Sequence, residues 1–225
     1  MKNLRVLVTA LVLAVIPSLA NAAPITFLQF TQTGLGNNFV FTTDGTNSQI
    51  TSDQTVNVVF DPSFCLLVGC GGATNGVYDL SLIANSTGPA TTDGEDITQN
   101  FSGTISLTDG SLNLLTFDFS DIFTGSEDGS SPTLSSSQPP DLFSGTSDVF
   151  DPAKLGVPRG FSISFSSFTA LNGGGLQITG NSISGGSAAG TGTFAASQVP
   201  EPASMLLLGL GFLGAGLRAS RGLKK

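Results

Sequence analysis

From Tyr78 onward, apolar side chains recur at every second position, with small hydroxyl residues between them. Tyr78, Leu80 and Leu82 alternate with Asp79 and Ser81; Phe101, Ile105 and Leu107 share one parity; Leu115, Phe117 and Phe119 stand against Thr116, Asp118 and Ser120. Phe161, Ile163 and Phe165 alternate with Ser162 and Ser164, and the parity then slips across Ser166-Ser167 to Phe168, as at a β-bulge. Leu176 and Ile178 face Gln177 and Thr179. A period of two with one apolar and one polar face marks half-buried antiparallel strands. Further strands are predicted over 25–30, 39–42, 55–60, 143–150 and 191–196. About ten short strands exceed what one open sheet holds, which predicts two packed sheets. The expected fold is all-β: an antiparallel β-sandwich, jelly-roll-like, with a β-solenoid as the alternative.

Turn chemistry punctuates these runs. Asp44-Gly45, Asp93-Gly94 and Asp109-Gly110 are strong turn signals, and Asp109-Gly110 lies between two alternating runs, where it closes a hairpin. Residues 130–141, with Pro132, Pro139 and Pro140, show no periodicity and read as a surface loop. Residues 184–192 are rich in Gly, Ala and Ser and read as a weakly packed connection or a flexible approach to the last strand.

The two chain ends follow different rules. Lys2 and Arg5 precede an apolar run from Val6 to Ile16, and Ala20-Asn21-Ala22 forms an A-x-A cleavage site. Residues 1–22 are therefore expected to be a signal peptide cleaved before Ala23. At the other end, Val199-Pro200-Glu201-Pro202 precedes the apolar stretch Ala203 to Leu217, which is followed by Arg218, Arg221, Lys224 and Lys225. The prolines lack amide donors and keep any helix from running in from upstream. As a helix, 203–217 would be roughly 22 Å long against about 30 Å of hydrocarbon, a marginal single transmembrane helix, with the basic cluster as its cytoplasmic stop. Gly209, Gly211 and Gly214 match G-x-G-x-x-G, but no strand precedes them and no βαβ unit follows. This tail, 199–225, resembles the PEP-CTERM sorting signal of Gram-negative bacteria. The resemblance implies an exosortase-type membrane protease as processing partner, a membrane-anchored precursor, and delivery to the cell envelope, cell surface or extracellular space. It also implies an association with exopolysaccharide and biofilm formation.

That leaves 23–198 as one exported domain, long enough to bury a core. It holds fifteen acids, thirteen of them Asp, and only Lys154 and Arg159 as bases, for a net charge of −13. Such a field excludes nucleic acid and anionic lipid as partners and favours cations, neutral glycans or further copies of the chain in salt. Phe is abundant, Trp is absent and Tyr78 is the single tyrosine.

Candidate chemistry is sparse. The chain has no His, which removes Ser-His-Asp and Cys-His catalysis and the commonest zinc ligand. Cys65 and Cys70, the only cysteines, are expected to be bridged in an exported protein, stapling an apolar loop tip. Two acidic clusters supply hard oxygen ligands: Asp93, Glu95 and Asp96, and then Asp118, Asp121, Glu127 and Asp128. They are weak calcium candidates, since neither has the EF-hand order, and a solvated, solubilising surface is the leading reading. No cofactor other than calcium is suggested, and no catalytic residue is assigned.

Three function classes remain. A non-enzymatic structural or adhesive protein of the surface or matrix, self-associating or touching extracellular polysaccharide, ranks first. A glycan-binding module, calcium-assisted, is the alternative, although sugar stacking normally uses exposed aromatic rings. A hydrolase built on a carboxylate pair ranks third.

Overall fold

The computed structural model describes residues 24–70, 75–135 and 144–198. The segment Pro24–Ser197 forms a compact unit of its own. Its strands are β1 (Ile25–Gln32), β2 (Phe39–Thr43), β3 (Ser48–Phe60), β4 (Gly76–Ser86), β5 (Thr91–Asp93), β6 (Asp96–Asp109) and β7 (Leu112–Ser126). They continue with β8 (Thr133–Ser135), β9 (Ser144–Thr146), β10 (Leu155–Ala170), β11 (Ile178–Thr179), β12 (Ser182–Ile183) and β13 (Gly186–Gln198). One short helix, α1 (Pro62–Val68), and a 3-10 turn, Pro152–Lys154, interrupt them.

The expected sandwich is not what these strands build. Following the pairing from β6 through β4, β3, β1, β13, β10, β8 and β7 leads back to β6, so eight antiparallel strands close a barrel. Two pairings make the difference. The first and last strands join, with Ile25 opposite Ala196 and Phe30 opposite Gly192. The long β6–β7 hairpin is joined on its far side through β8 to β10. Alternation says which side chains face inward, and it reads the same in a sandwich and a barrel; closure is decided by which edges meet. No jelly-roll or solenoid remains.

Several staves of the barrel are broken. β1 and β2 share one position, since β13 pairs with β1 near its C-terminal end and with β2 near its start, and β3 does the same from the other side. β8 and β9 likewise share the flank of β7. Part of the expected 130–141 loop is thus a wall strand, with Leu134 fully buried; residues 136–143 lie outside the described residues. The strand expected over 143–150 stops at Thr146. There Ser147 Oγ donates to Leu114 O at 2.6 Å and accepts the amides of Val149 and Phe150, turning the chain so that these two successive residues are both buried.

Local expectations hold elsewhere. Gly110 has φ +58° in the two-residue turn of the β6–β7 hairpin, where Asp109 pairs with Leu112. Ser167 has φ +55°, and Ser166 and Ser167 are both exposed between buried Phe165 and Phe168, the bulge expected there.

The barrel interior is filled with aromatic rings. Fifteen of the seventeen Phe are buried; the other two, Phe143 and Phe212, lie outside the described residues. Eight strands enclose a space that side chains can fill, and here they do. Phe194 sits among four rings, with centroids at 5.0 Å to both Phe117 and Phe161, 6.1 Å to Phe30 and 6.3 Å to Phe27. Phe41 makes edge contacts with Phe123, Phe165 and Phe168. Such pairs contribute about 0.5–1.5 kcal/mol each beyond burial.

Room for these rings comes from the Gly/Ala/Ser stretch expected to be a loose connection. It is wall strand β13, whose inward positions are Gly186, Ala188, Gly190, Gly192, Phe194 and Ala196, all buried. A Cβ on Gly190 would stand 2.7 Å from the Phe39 ring, and one on Gly192 would overlap the Phe30 ring. Small residues on one stave accept large ones from its neighbours.

Candidate functional site

The barrel has two differently built ends. At the first, α1 lies over the mouth. Asp61 caps it, Oδ1 accepting the Ser63 amide at 2.7 Å, with Pro62 in the first turn. Gly69 closes it at φ +73°, its amide donating to Cys65 O. This geometry drives Phe64 inward onto Phe27 at 4.4 Å and edge-on to Phe150 at 5.9 Å. Phe150 opens the same kind of turn: Phe-Asp-Pro recurs at 60–62 and 150–152, and Asp151 Oδ1 accepts the Ala153 amide. Cys65 and Cys70 are bridged, with Cα atoms 4.8 Å apart. The staple holds a helical cap rather than the expected loop tip. Reduction is expected to cost roughly 2 kcal/mol in the chain-entropy account, read as a lower Tm with reductant and as two alkylatable thiols only after reduction.

At the opposite end, residues 171–185 fold over the mouth as a plug carrying the β11–β12 hairpin. Leu176 and Ile183 are fully buried there. The plug is tied to the wall by polar groups. Gln99, 2% exposed, donates from Nε2 to Gly88 O and accepts the Ile183 amide, while Ser48 Oγ donates to Ile183 O. Gln99 was not singled out from the sequence; an amide on the inward parity between Ile97 and Phe101 was the available signal. Asp44 orders the neighbouring turn through Oδ1, which accepts the Thr46 and Asn47 amides. The backbone hydrogen bond from Asn47, and then that from Thr46, hold its carboxyl below the ordinary Asp range.

The acidic candidates divide along this frame. Asp93, Glu95 and Asp96 stand on the β5–β6 turn, and Glu127 and Asp128 follow β7 at the same rim, where the Glu127 amide donates to Glu95 O at 2.7 Å and Ser126 Oγ donates to Asp96. Asp128 is a turn residue at φ +57°, its carboxylate accepting from Gln177 Nε2 and its amide donating to Leu176 O. Asp118 lies about 26 Å along the strand from Ser126, exposed on the outer wall and accepting from Thr104 Oγ1. Asp121 points the other way and is buried opposite Phe101. A sequence cluster in a strand is drawn out at about 3.3 Å per residue and split between two faces, so Asp118 and Asp121 do not join the acids at the rim. Among the described residues no three acids or cysteines are grouped to hold a metal. Thermal melts in calcium and in sodium chloride at matched ionic strength are expected to superimpose; a calcium-specific rise in Tm would contradict this.

The sorting residues Val199, Pro200, Glu201 and Pro202, the basic stop Arg218, Arg221, Lys224 and Lys225, and the expected signal peptide 1–22 lie outside the described residues. So does the expected helix 203–217; no helix among the described residues is long and apolar enough to cross a membrane. β1 and β13 are neighbours, and their outer ends, Ile25 and Ala196, meet at the α1 end of the barrel.

No curated protein and no solved structure matches the chain. The family model of the PEP-CTERM protein-sorting motif matches residues 198–221. The chain thus carries a PEP-CTERM sorting motif in its C-terminal tail, which indicates exosortase-dependent sorting to the cell envelope or surface.

Proposed function

We propose that this protein is a non-enzymatic structural component of the cell surface or extracellular matrix, in which the tail delivers the chain and the barrel is the cargo. In this reading the signal peptide 1–22 directs export, the exosortase acts on the tail, and the mature barrel is displayed or released. Its contacts there are with other copies of itself or with extracellular polysaccharide of a biofilm matrix.

The observation that supports this most is the filled barrel. Phenylalanine occupies the interior, α1 covers one mouth and the 171–185 plug covers the other. A barrel that binds a small ligand keeps its interior open. Every described Phe, and Tyr78, is buried, so among the described residues no ring is presented outward for a sugar to stack on. The glycan-binding alternative loses its usual recognition element. The outer wall is instead hydroxyl- and amide-rich, with cross-strand rows such as Thr91, Thr98, Thr124, Thr133 and Ser164.

Replacing Glu201 with Ala, or Pro200 and Pro202 together with Ala, tests the delivery half. The precursor is expected to stay in the cell envelope at its unprocessed mass. A tail variant that reaches the surface normally, with the mass of the wild type, would overturn the sorting reading. A pooled polysaccharide hydrolysis assay tests the other half, with no turnover expected from the purified barrel.

A further inference from the structure

Two asparagines of the chain precede glycine, in Asn75-Gly76 and Asn172-Gly173. Glycine has no Cβ to crowd its amide nitrogen, so that nitrogen reaches the side-chain carbonyl of the preceding asparagine, a source of asparagine's thermal lability. The fold treats the two pairs unequally. Asn75 Oδ1 accepts the Phe60 amide at 2.9 Å, which ties its side-chain carbonyl to the end of β3. Gly76 is the first residue of β4 and stands opposite Val58, in an unbroken ladder with β3 that runs on to Asn85. Asn172 lies instead in the turn that opens the plug, and Leu171, Asn172, Gly173 and Gly174 are all exposed. Among the described residues none forms a hydrogen bond with the Asn172 side chain.

We propose that Asn172 is a site of spontaneous deamidation in the folded protein and that the fold protects Asn75 from the same reaction. The inference stands apart from the sorting and surface readings. The Gly173 nitrogen attacks Cγ of Asn172, gives up its proton and expels ammonia, closing a five-membered imide. One water then opens the imide and leaves an aspartate or an isoaspartate in place of Asn172. In sum one water is consumed and one ammonia released, with nothing oxidised or reduced. Each event adds a carboxylate to the plug of an already acidic domain.

The step needs the Gly173 amide free, and in the closed turn that amide donates to Ala170 O at 2.9 Å while the Ala170 amide donates to Gly174 O at 3.1 Å. Releasing it disturbs only an exposed turn. Gly173 and Gly174 hold φ +77° and +102°, and no atom stands within 4 Å of where either Cβ would be, so the backbone has room to rearrange. The opening is bounded at Gly175, where a Cβ would stand 2.0 Å from the Asp128 carbonyl oxygen, and at buried Leu176. Freeing Gly76 together with the Asn75 carbonyl requires β4 to part from β3 instead. Local opening of an exposed turn is far less costly than unpairing a wall strand.

The test holds the purified protein in warm, mildly alkaline buffer and follows the amide-to-acid mass gain by peptide mapping, with a parallel sample unfolded in urea. In the folded protein the gain at Asn172 is expected to be at least about tenfold faster than at Asn75. In urea the two sites are expected to react at similar rates, which shows that the fold and not the local sequence separates them. A folded-state rate at Asn172 equal to or below that at Asn75 overturns the inference, and so does a tenfold gap that persists in urea. Asn172→Gln, whose longer side chain would have to close a six-membered ring, is expected to keep the wild-type Tm and to lose most of the folded-state acid gain. An undiminished gain in the intact mass of that variant overturns the assignment to Asn172.

Discussion

The Phe194→Ala barrel is expected to melt about 6–20 °C below the wild type, a loss of about 3–5 kcal/mol. Phe194 is fully buried and touches Phe27, Phe30, Phe117 and Phe161, rings carried by β1, β7 and β10. Truncation would leave a cavity that no single strand can fill by shifting, because each is held in register on both sides. Domain stabilities are about 5–15 kcal/mol in total, so this one ring accounts for a sizeable fraction. Urea or thermal unfolding of the isolated barrel, residues 23–198, measures it. A Tm within about 2 °C of wild type would mean that the interior repacks freely and is not the fixed aromatic core described above.

Gly192→Val is expected to be comparably damaging for the opposite reason. A Cβ at this position would overlap Cε1 and Cζ of Phe30, which is itself fully buried. In an exposed strand, replacing glycine would be favourable by roughly 0.5–1 kcal/mol; here overpacking reverses the sign, at about 1–3 kcal/mol or more. Two comparisons isolate the cause. Gly34→Ala, where nothing stands within 4 Å of the new carbon, is expected to be neutral or mildly stabilising. Adding Phe30→Leu to Gly192→Val is expected to recover part of the loss, since the two sites share one volume. Additive losses in the double variant would sink the claim that Phe30 lies on Gly192.

How legible was this in the sequence? Most of the long strands were, because a half-buried strand writes its own period: β4, β6, β7 and β10 all contain the alternating runs found from residues alone, and even the slip at Ser167 was visible. α1 was not, because Pro62 to Val68 is too short for helical periodicity and its only signals are Asp61 and Pro62. β13 was missed over half its length because its core positions are Gly and Ala, which look like a linker unless Phe30 and Phe39 are known to lie on them. The acidic clusters misled in the other direction. Closeness in sequence suggested a cation site, but an extended strand separates Asp118, Asp121 and Asp128 and turns one of them inward.

The sorting motif was readable in the tail, since such a motif is recognised as a linear string that needs no tertiary context. The bridge between Cys65 and Cys70 was also determined by sequence, there being no other partner. Inward and outward faces were determined by alternation, a local property of each strand. Closure was not. Whether Ile25 meets Ala196, and whether β7 completes the ring through β8, depends on edges distant in sequence finding each other, and nothing in either strand alone encodes that meeting. Only the tertiary structure turned a pattern shared by sandwiches and barrels into a barrel, because the Phe rings fill one enclosed volume when the first and last strands pair.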